Sequence, residues 1–120
     1  MRADILKVKG TAVMTVRPAE TIQAVARRLR QEGVGAMIAS SDGDSLDGII
    51  TERDVALSLA VYGKEFHALP ASALMSTAVV TCSPDSSIAE VARVMTDRRL
   101  RYLPSRKANG SLVSLALATC

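Results

Sequence analysis

TAVMTVRPAE, residues 11–20, returns 66 positions later as TAVVTCSPDS, residues 77–86. The correspondence continues without a gap. Ile22 pairs with Ile88, Val25-Ala26-Arg27 with Val91-Ala92-Arg93, and Ser45-Leu46 with Ser111-Leu112. Eleven of the 44 positions aligned between 11–54 and 77–120 are identical. A fixed internal period marks a duplicated supersecondary unit, and it constrains architecture before any single residue is weighed for chemistry.

Both copies carry the same local signals. A β-type stretch (12–16 and 78–82) runs into a proline turn at Pro18 or Pro84. A helix follows, because Ile22, Val25, Ala26 and Leu29 recur at i, i+3, i+4, i+7, and Ile88, Val91, Ala92 and Met95 repeat that stripe. Ser87 and Glu90 form a capping-box pattern at the second helix start, and Gly33 ends the first helix. Strands are expected at 36–39 and 46–50 around a turn centred on Asp42-Gly43. A helix over 52–62 then buries Val55, Ala56 and Leu59 and stops at Gly63. The second copy keeps strands at 101–103 and 112–117, but no closing helix follows. The fold class expected is α/β of the α+β kind: two β-α-β-β-α repeats, the second lacking its final helix. The division expected is 1–66, repeat 1 with an N-terminal lead-in, and 67–120, a linker and repeat 2.

Composition narrows the function classes. The 120 residues suffice for one compact domain or two half-sized units sharing a core. With 48% hydrophobic and 22% charged residues, the chain reads as an ordinary globular protein. No apolar run approaches the roughly 18–20 residues that span a bilayer, and no signal-peptide stretch opens the chain. Cys82 and Cys120 show no metal or redox spacing, so a reduced, cytoplasmic setting is expected. His67 stands alone in the linker. The net charge of +3 arises in the second half, chiefly from Arg98, Arg99, Arg101, Arg106 and Lys107. Nucleic acid is not expected as a partner, since three aromatics supply no stacking platform. A phosphate-bearing small molecule suits so small a basic patch better. No nucleophile–base pair, metal-ligand set or Gly-rich phosphate loop is present, so neither catalysis nor a required cofactor is expected.

Chemistry concentrates at Gly48-Ile49-Ile50-Thr51-Glu52-Arg53-Asp54. Two readings stand side by side. In one, Thr51 is an N-cap and Asp54 reaches back from N3, a capping box worth about 0.5–2 kcal/mol. In the other, free N–H groups at the helix start, the Thr51 hydroxyl and the Asp54 carboxylate face a ligand, with phosphate on the N–H groups and ribose hydroxyls on the carboxylate.

The duplicated unit with this segment closing its hairpin resembles a pair of CBS domains, the tandem module named after cystathionine β-synthase. Asp4-Ile5-Leu6, Thr15-Val16-Arg17-Pro18, Thr81-Cys82-Ser83-Pro84 and Arg101-Tyr102-Leu103-Pro104 strengthen the likeness. The resemblance implies two repeats packed by their sheets, adenosine-containing ligands between them, and disc-shaped homodimers. The family's Gly-x-x-Thr-x-x-Asp pattern falls on Gly48, Thr51 and Asp54. Asp54 is then implied for the ribose hydroxyls, Thr51 for the ribose or its phosphate, and Ile49 and Ile50 for the lining. Val13, Ala36 and Met37 are implied against the adenine, and Arg53, Arg99 or Arg101 at the phosphates. Under the 66-residue shift Gly48, Thr51 and Asp54 become Ser114, Leu117 and Cys120, so one nucleotide site per chain is expected. Strand 112–117 is left without a covering helix, to be buried by a partner chain unless the terminus is shortened or altered. The function expected is a regulatory module for AMP, ADP, ATP or S-adenosylmethionine, signalling to an unknown effector protein or through its homodimer. The alternative is a structural dimerisation module without ligand.

Overall fold

The structure, a computed structural model, describes residues 5–8 and 14–119, with the backbone alone for 5–8 and 117–119. It contains three α-helices and two three-stranded sheets, a mixed α+β fold. The elements are β1 (Ile5–Val8), β2 (Thr15–Val16), α1 (Ile22–Glu32), β3 (Ala36–Ala39), β4 (Gly48–Thr51), α2 (Glu52–Tyr62), α3 (Ile88–Arg98), β5 (Tyr102–Arg106) and β6 (Leu112–Thr119). By packing, the chain falls into two units: Met14–Val79, and a second made of β1 with the residues from Val80 on.

In the first unit the sheet order is β2-β3-β4, with β2 parallel and β4 antiparallel to β3. Helix α1 buries Ile22, Val25 and Leu29 against Val16, Met37, Ala39 and Ile50. Each large aliphatic side chain so buried is worth about 1.5–3 kcal/mol of transfer free energy, which sets this face of the sheet as the core. Thr21 caps α1 by accepting from the Ala24 N–H at 3.2 Å. The segment expected as linker joins this core. Its two 3-10 turns (Gly63–Ala68 and Ala71–Ala73) bring Phe66, Leu69, Ala71, Leu74 and Met75 onto the cluster. Beyond them Ser76 pairs with Ile49 through bonds of 3.0 and 2.9 Å, adding a backbone bridge to β4.

In the second unit the order is β1-β6-β5, all antiparallel. Helix α3 buries Val91 and Met95 against Leu103 and Ala116. The lead-in strand β1 therefore joins the sheet of the second repeat. Of the expected strand at 78–82, only a parallel bridge from Cys82 to Ser105 remains. The capping-box pattern at α3 is half realised. Ser87 Oγ accepts from the Glu90 N–H at 3.1 Å, and its hydroxyl donates to Glu90 Oε1 at 3.2 Å. Ile88, expected in the buried stripe, is instead 67% exposed. Its counterpart Ile22 is covered because Leu69 O accepts from the Ile22 N–H and Thr21 bridges Pro70. No described segment does this for Ile88.

The two helix ends repeat one device. Gly33 and Arg99 both adopt the left-handed conformation, and Val34 and Leu100 donate back to the carbonyls of Leu29 and Met95. Each of these residues packs in the cluster that holds the carbonyl's own side chain, the hydrophobic contact of a Schellman-type cap. Glycine adopts this conformation freely. Arg99, with φ 56°, does so at a cost, and it is the sole non-glycine with positive φ among the described residues.

The expectation for α2 is corrected. Ser58 is its buried residue, Val55 is half-buried, and Ala56 and Leu59 are exposed. From Val55 to Tyr62 the helix is apolar almost all round, so periodicity cannot select an inner face. Ser58 tolerates burial because its hydroxyl donates to the Val55 carbonyl at 2.6 Å.

Candidate functional site

Strand β4 passes into α2 without a loop, so Thr51 is both the last strand residue and the N-cap of the helix. The capping box is complete. Thr51 Oγ1 accepts from the Asp54 N–H at 3.2 Å, and Asp54 Oδ2 accepts from the Thr51 N–H at 2.9 Å. Gly35 O takes the Glu52 N–H at 2.8 Å. Two N–H groups expected to be open to a phosphate are thus already satisfied by the protein. What stays available is different. Asp54 Oδ1 accepts no hydrogen bond from a described residue, and the Thr51 hydroxyl keeps its own proton to donate. The half-buried carboxylate is held by one oxygen and presents the other.

Strand pairing sorts the expected lining residues by face. Thr51 lies opposite Ala36 and Ile49 opposite Ile38, whereas Ile50 pairs with Met37 and Gly48 with Ala39. Successive strand residues point to opposite faces. Ala36, Ile49 and Thr51 therefore share a face, and Ile38 belongs with them. Ile50 and Met37 face α1 in the core, 0% and 1% exposed. Their expected role as lining is corrected: they cannot reach a ligand on the Thr51 face. Ile38 shares the Thr51 face by strand alternation and is 0% exposed.

Gly48 has a role of its own. A Cβ there would lie 2.9 Å from Met75 Sδ and 2.9 Å from the Ser76 carbonyl oxygen, so the absent side chain makes room for the crossing segment. Arg53 is exposed on the first turn of α2. Arg99 and Arg101 belong to the other packing unit. There Arg99 closes α3, and the Arg101 guanidinium sits 5.9 Å from the centroid of the Tyr102 ring. Val13 lies outside the described residues.

Electrostatics near the site are mild. The first turn of α2 carries Glu52 and Asp54, which complement the positive helix end. The strongest perturbation lies in the β3–β4 turn. There the Ser45 and Asp44 N–H groups and the Ser45 and Ser40 hydroxyls converge on Asp42 Oδ1 at 2.7–3.1 Å. These bonds, the Ser45 N–H foremost, hold the Asp42 carboxyl well below the usual carboxylate range. Burial pushes the Cys82 thiol up. Among the described residues no group of three His, Cys, Asp or Glu is placed to hold a metal ion, and no helix is long and apolar enough to cross a membrane.

Comparison with known proteins settles the family. A sequence profile of the CBS domain matches residues 3–61 and again 71–112. The chain belongs to the CBS-domain family. One relative, an uncharacterized protein of Methanopyrus kandleri, is 33% identical over 103 residues, covering 86% of this chain and 53% of its own length. This CBS-domain chain thus spans about half of that protein. The crystal structure of a CBS-domain protein of Agrobacterium tumefaciens superposes with a TM-score of 0.81 at 32% identity, covering 92% of this chain and 81% of the other. CBSX2, solved in complex with AMP, shares the CBS fold with a TM-score of 0.75 at 18% identity, covering 87% of this chain and 80% of the other.

Proposed function

We propose that this CBS-domain chain is a regulatory module that binds an adenosyl compound on the Thr51 face and passes the occupancy to an effector protein or to a second copy of itself. One observation carries the reading: the capping box fixes Asp54 through Oδ2 and leaves Oδ1 directed away from that bond, an acceptor already oriented for vicinal ribose hydroxyls. Half-buried Ile49 supplies apolar surface on the same face for the adenine, with buried Ala36 and Ile38 beneath it. The AMP complex of CBSX2 supports the ligand class. Phosphate, when the ligand carries it, falls to Arg53 on the exposed first turn of α2, because the helix N–H groups at Glu52 and Asp54 are in use. The module itself performs no catalysis. A ligand can shift its state only as far as it prefers one conformation.

The closed capping box favours a second reading, in which Thr51 and Asp54 serve stability alone and the chain is a dimerisation module. Thermal melts separate the two. A ligand among AMP, ADP, ATP and S-adenosylmethionine at about 100 times its dissociation constant adds about 2.7 kcal/mol, a rise on the order of 10 °C. Asp54→Asn abolishes that rise and changes the unliganded melt little. Absence of any rise in the unaltered protein leaves only the dimerisation reading.

A further inference from the structure

The turns before α1 and α3 carry corresponding backbone groups, and among the described residues only the first set is bonded. At α1 a strap over residues 69–72, extended at Leu69 and Pro70, runs antiparallel to the turn and closes three backbone bonds. Leu69 O accepts from the Ile22 N–H at 2.8 Å, Glu20 O from the Ala71 N–H at 2.7 Å, and Pro18 O from the Ser72 N–H at 2.9 Å. Pro70, which has no N–H, occupies the one strap position that donates no bond to the turn. Ile22 and Ala71 are sealed at 0% exposure, and Pro18 is half-buried. The 66-residue shift puts Pro84, Ser86 and Ile88 in the corresponding places before α3. There the Ile88 N–H and the Ser86 and Pro84 carbonyls bond to no described residue, and both Ile88 and Pro84 are exposed.

We infer that the turn before α3 docks an extended segment of a partner protein: a large apolar residue, then proline, then a small residue, flanked by lysine or arginine. The first unit supplies the pattern for the centre of that segment. Leu69 and Ala71 join Ile22 in one apolar cluster, while the backbone of the strap bonds to the turn. Main-chain bonds of this kind give a docked peptide its affinity, and the side chains between them give its specificity. The differences between the two turns supply the charge. Asp85 stands where the first copy has Ala19, and Glu90 where it has Ala24. Both carboxylates are exposed, and neither is ion-paired with a described residue. Glu90 takes the Ser87 hydroxyl on Oε1 and keeps Oε2 for a partner. A segment with cationic flanks matches these carboxylates, and one with acidic flanks opposes them. The surface serves the effector contact proposed above and needs no ligand at Thr51.

An NMR titration of the full chain tests this, with a synthetic peptide carrying the sequence of residues 67–74 and an added lysine at each end. In the chain alone the Ile88 amide exchanges quickly with solvent. The peptide slows that exchange and shifts the amides around Ile88 saturably, with a dissociation constant on the order of 1 mM, as suits a short segment that must be ordered to bind. Glutamate in place of the two lysines weakens binding about threefold or more. Ile88→Pro removes the N–H at a first helical position that accepts proline, and weakens binding about threefold or more. Asp85→Lys, at an exposed site, reduces the preference for the lysine peptide and decides the matter should Ile88→Pro misfold. The absence of any saturable shift up to about 10 mM overturns the inference. An Ile88 amide already slow to exchange in the chain alone overturns it too, because the chain's own residues then hold that group. Shifts centred on Ile22 place the peptide on the first turn and overturn the assignment to α3. Equal binding of the two peptides overturns the cationic partner. None of these outcomes bears on the adenosyl ligand, which the melts decide.

Discussion

Gly48→Ala separates a glycine kept for backbone freedom from one kept for space. Gly48 is not among the positive-φ residues, so alanine is compatible with its backbone and would by itself add about 0.4–1 kcal/mol through the unfolded state. The surroundings oppose this. The new Cβ meets Met75 Sδ and Ser76 O at 2.9 Å, closer than real Cβ contacts come. Met75 can swing its flexible side chain away, but the Ser76 carbonyl is fixed by its two bonds to Ile49, so the bridge must shift. Overpacking of this kind costs about 1–3 kcal/mol, and each weakened backbone bond about 0.5–1.5 more. The net expectation is a loss of about 1–3 kcal/mol, read from the urea midpoint at unchanged slope. Met75→Ala in the same background should recover only a minor part, since the carbonyl remains. A Gly48→Ala protein within about 0.5 kcal/mol of the parent would show that the crossing segment is not held against β4.

Three further outcomes follow from the same contacts. Arg99→Gly relieves a left-handed arginine and should raise stability by about 0.5–1 kcal/mol; a lower melting temperature would mean that the arginine side chain contributes more than its backbone costs. Thr51→Val removes the oxygen that accepts from Asp54 N and should cost about 0.5–2 kcal/mol, whereas Thr51→Ser should cost a few tenths; equal losses would deny the cap its role. Asp42 has its carboxyl depressed, so its contribution is fully present above the unfolded value of about 4 and is lost as pH falls below it. Melts of Asp42→Asn and the parent should therefore differ near pH 7 and converge toward pH 2, and a gap that stays constant with pH would remove the charge from the explanation.

What could be read in the chain and what could not divide along physical lines. The α1 stripe was legible because Ile22, Val25 and Leu29 recur in an otherwise polar helix, and all three are buried. The junction at Thr51 was legible because a capping box is local chemistry. Helix α2 was not, since nearly every residue from Val55 on is apolar and tertiary contacts alone choose Ser58 as the inner one. Taking Ala36 with Met37 and Ile49 with Ile50 overlooked that adjacent strand residues serve opposite faces. The partner of β1 was out of reach altogether, because a four-residue strand carries no sign of which distant edge it will join.

That pairing has a consequence for how the protein comes into being. Of the described strands β1 is the first to be synthesised, yet it bonds only to β6, the last. On a ribosome it must wait, unpaired, while more than a hundred residues are added. The first unit, complete within Met14–Val79, can meanwhile close around its own core. Loop closure over so long a separation is slow, and the waiting edge is open to wrong pairings. A released fragment ending near residue 85 should resist protease through its first unit and be cut in its lead-in, whereas the full chain should protect both.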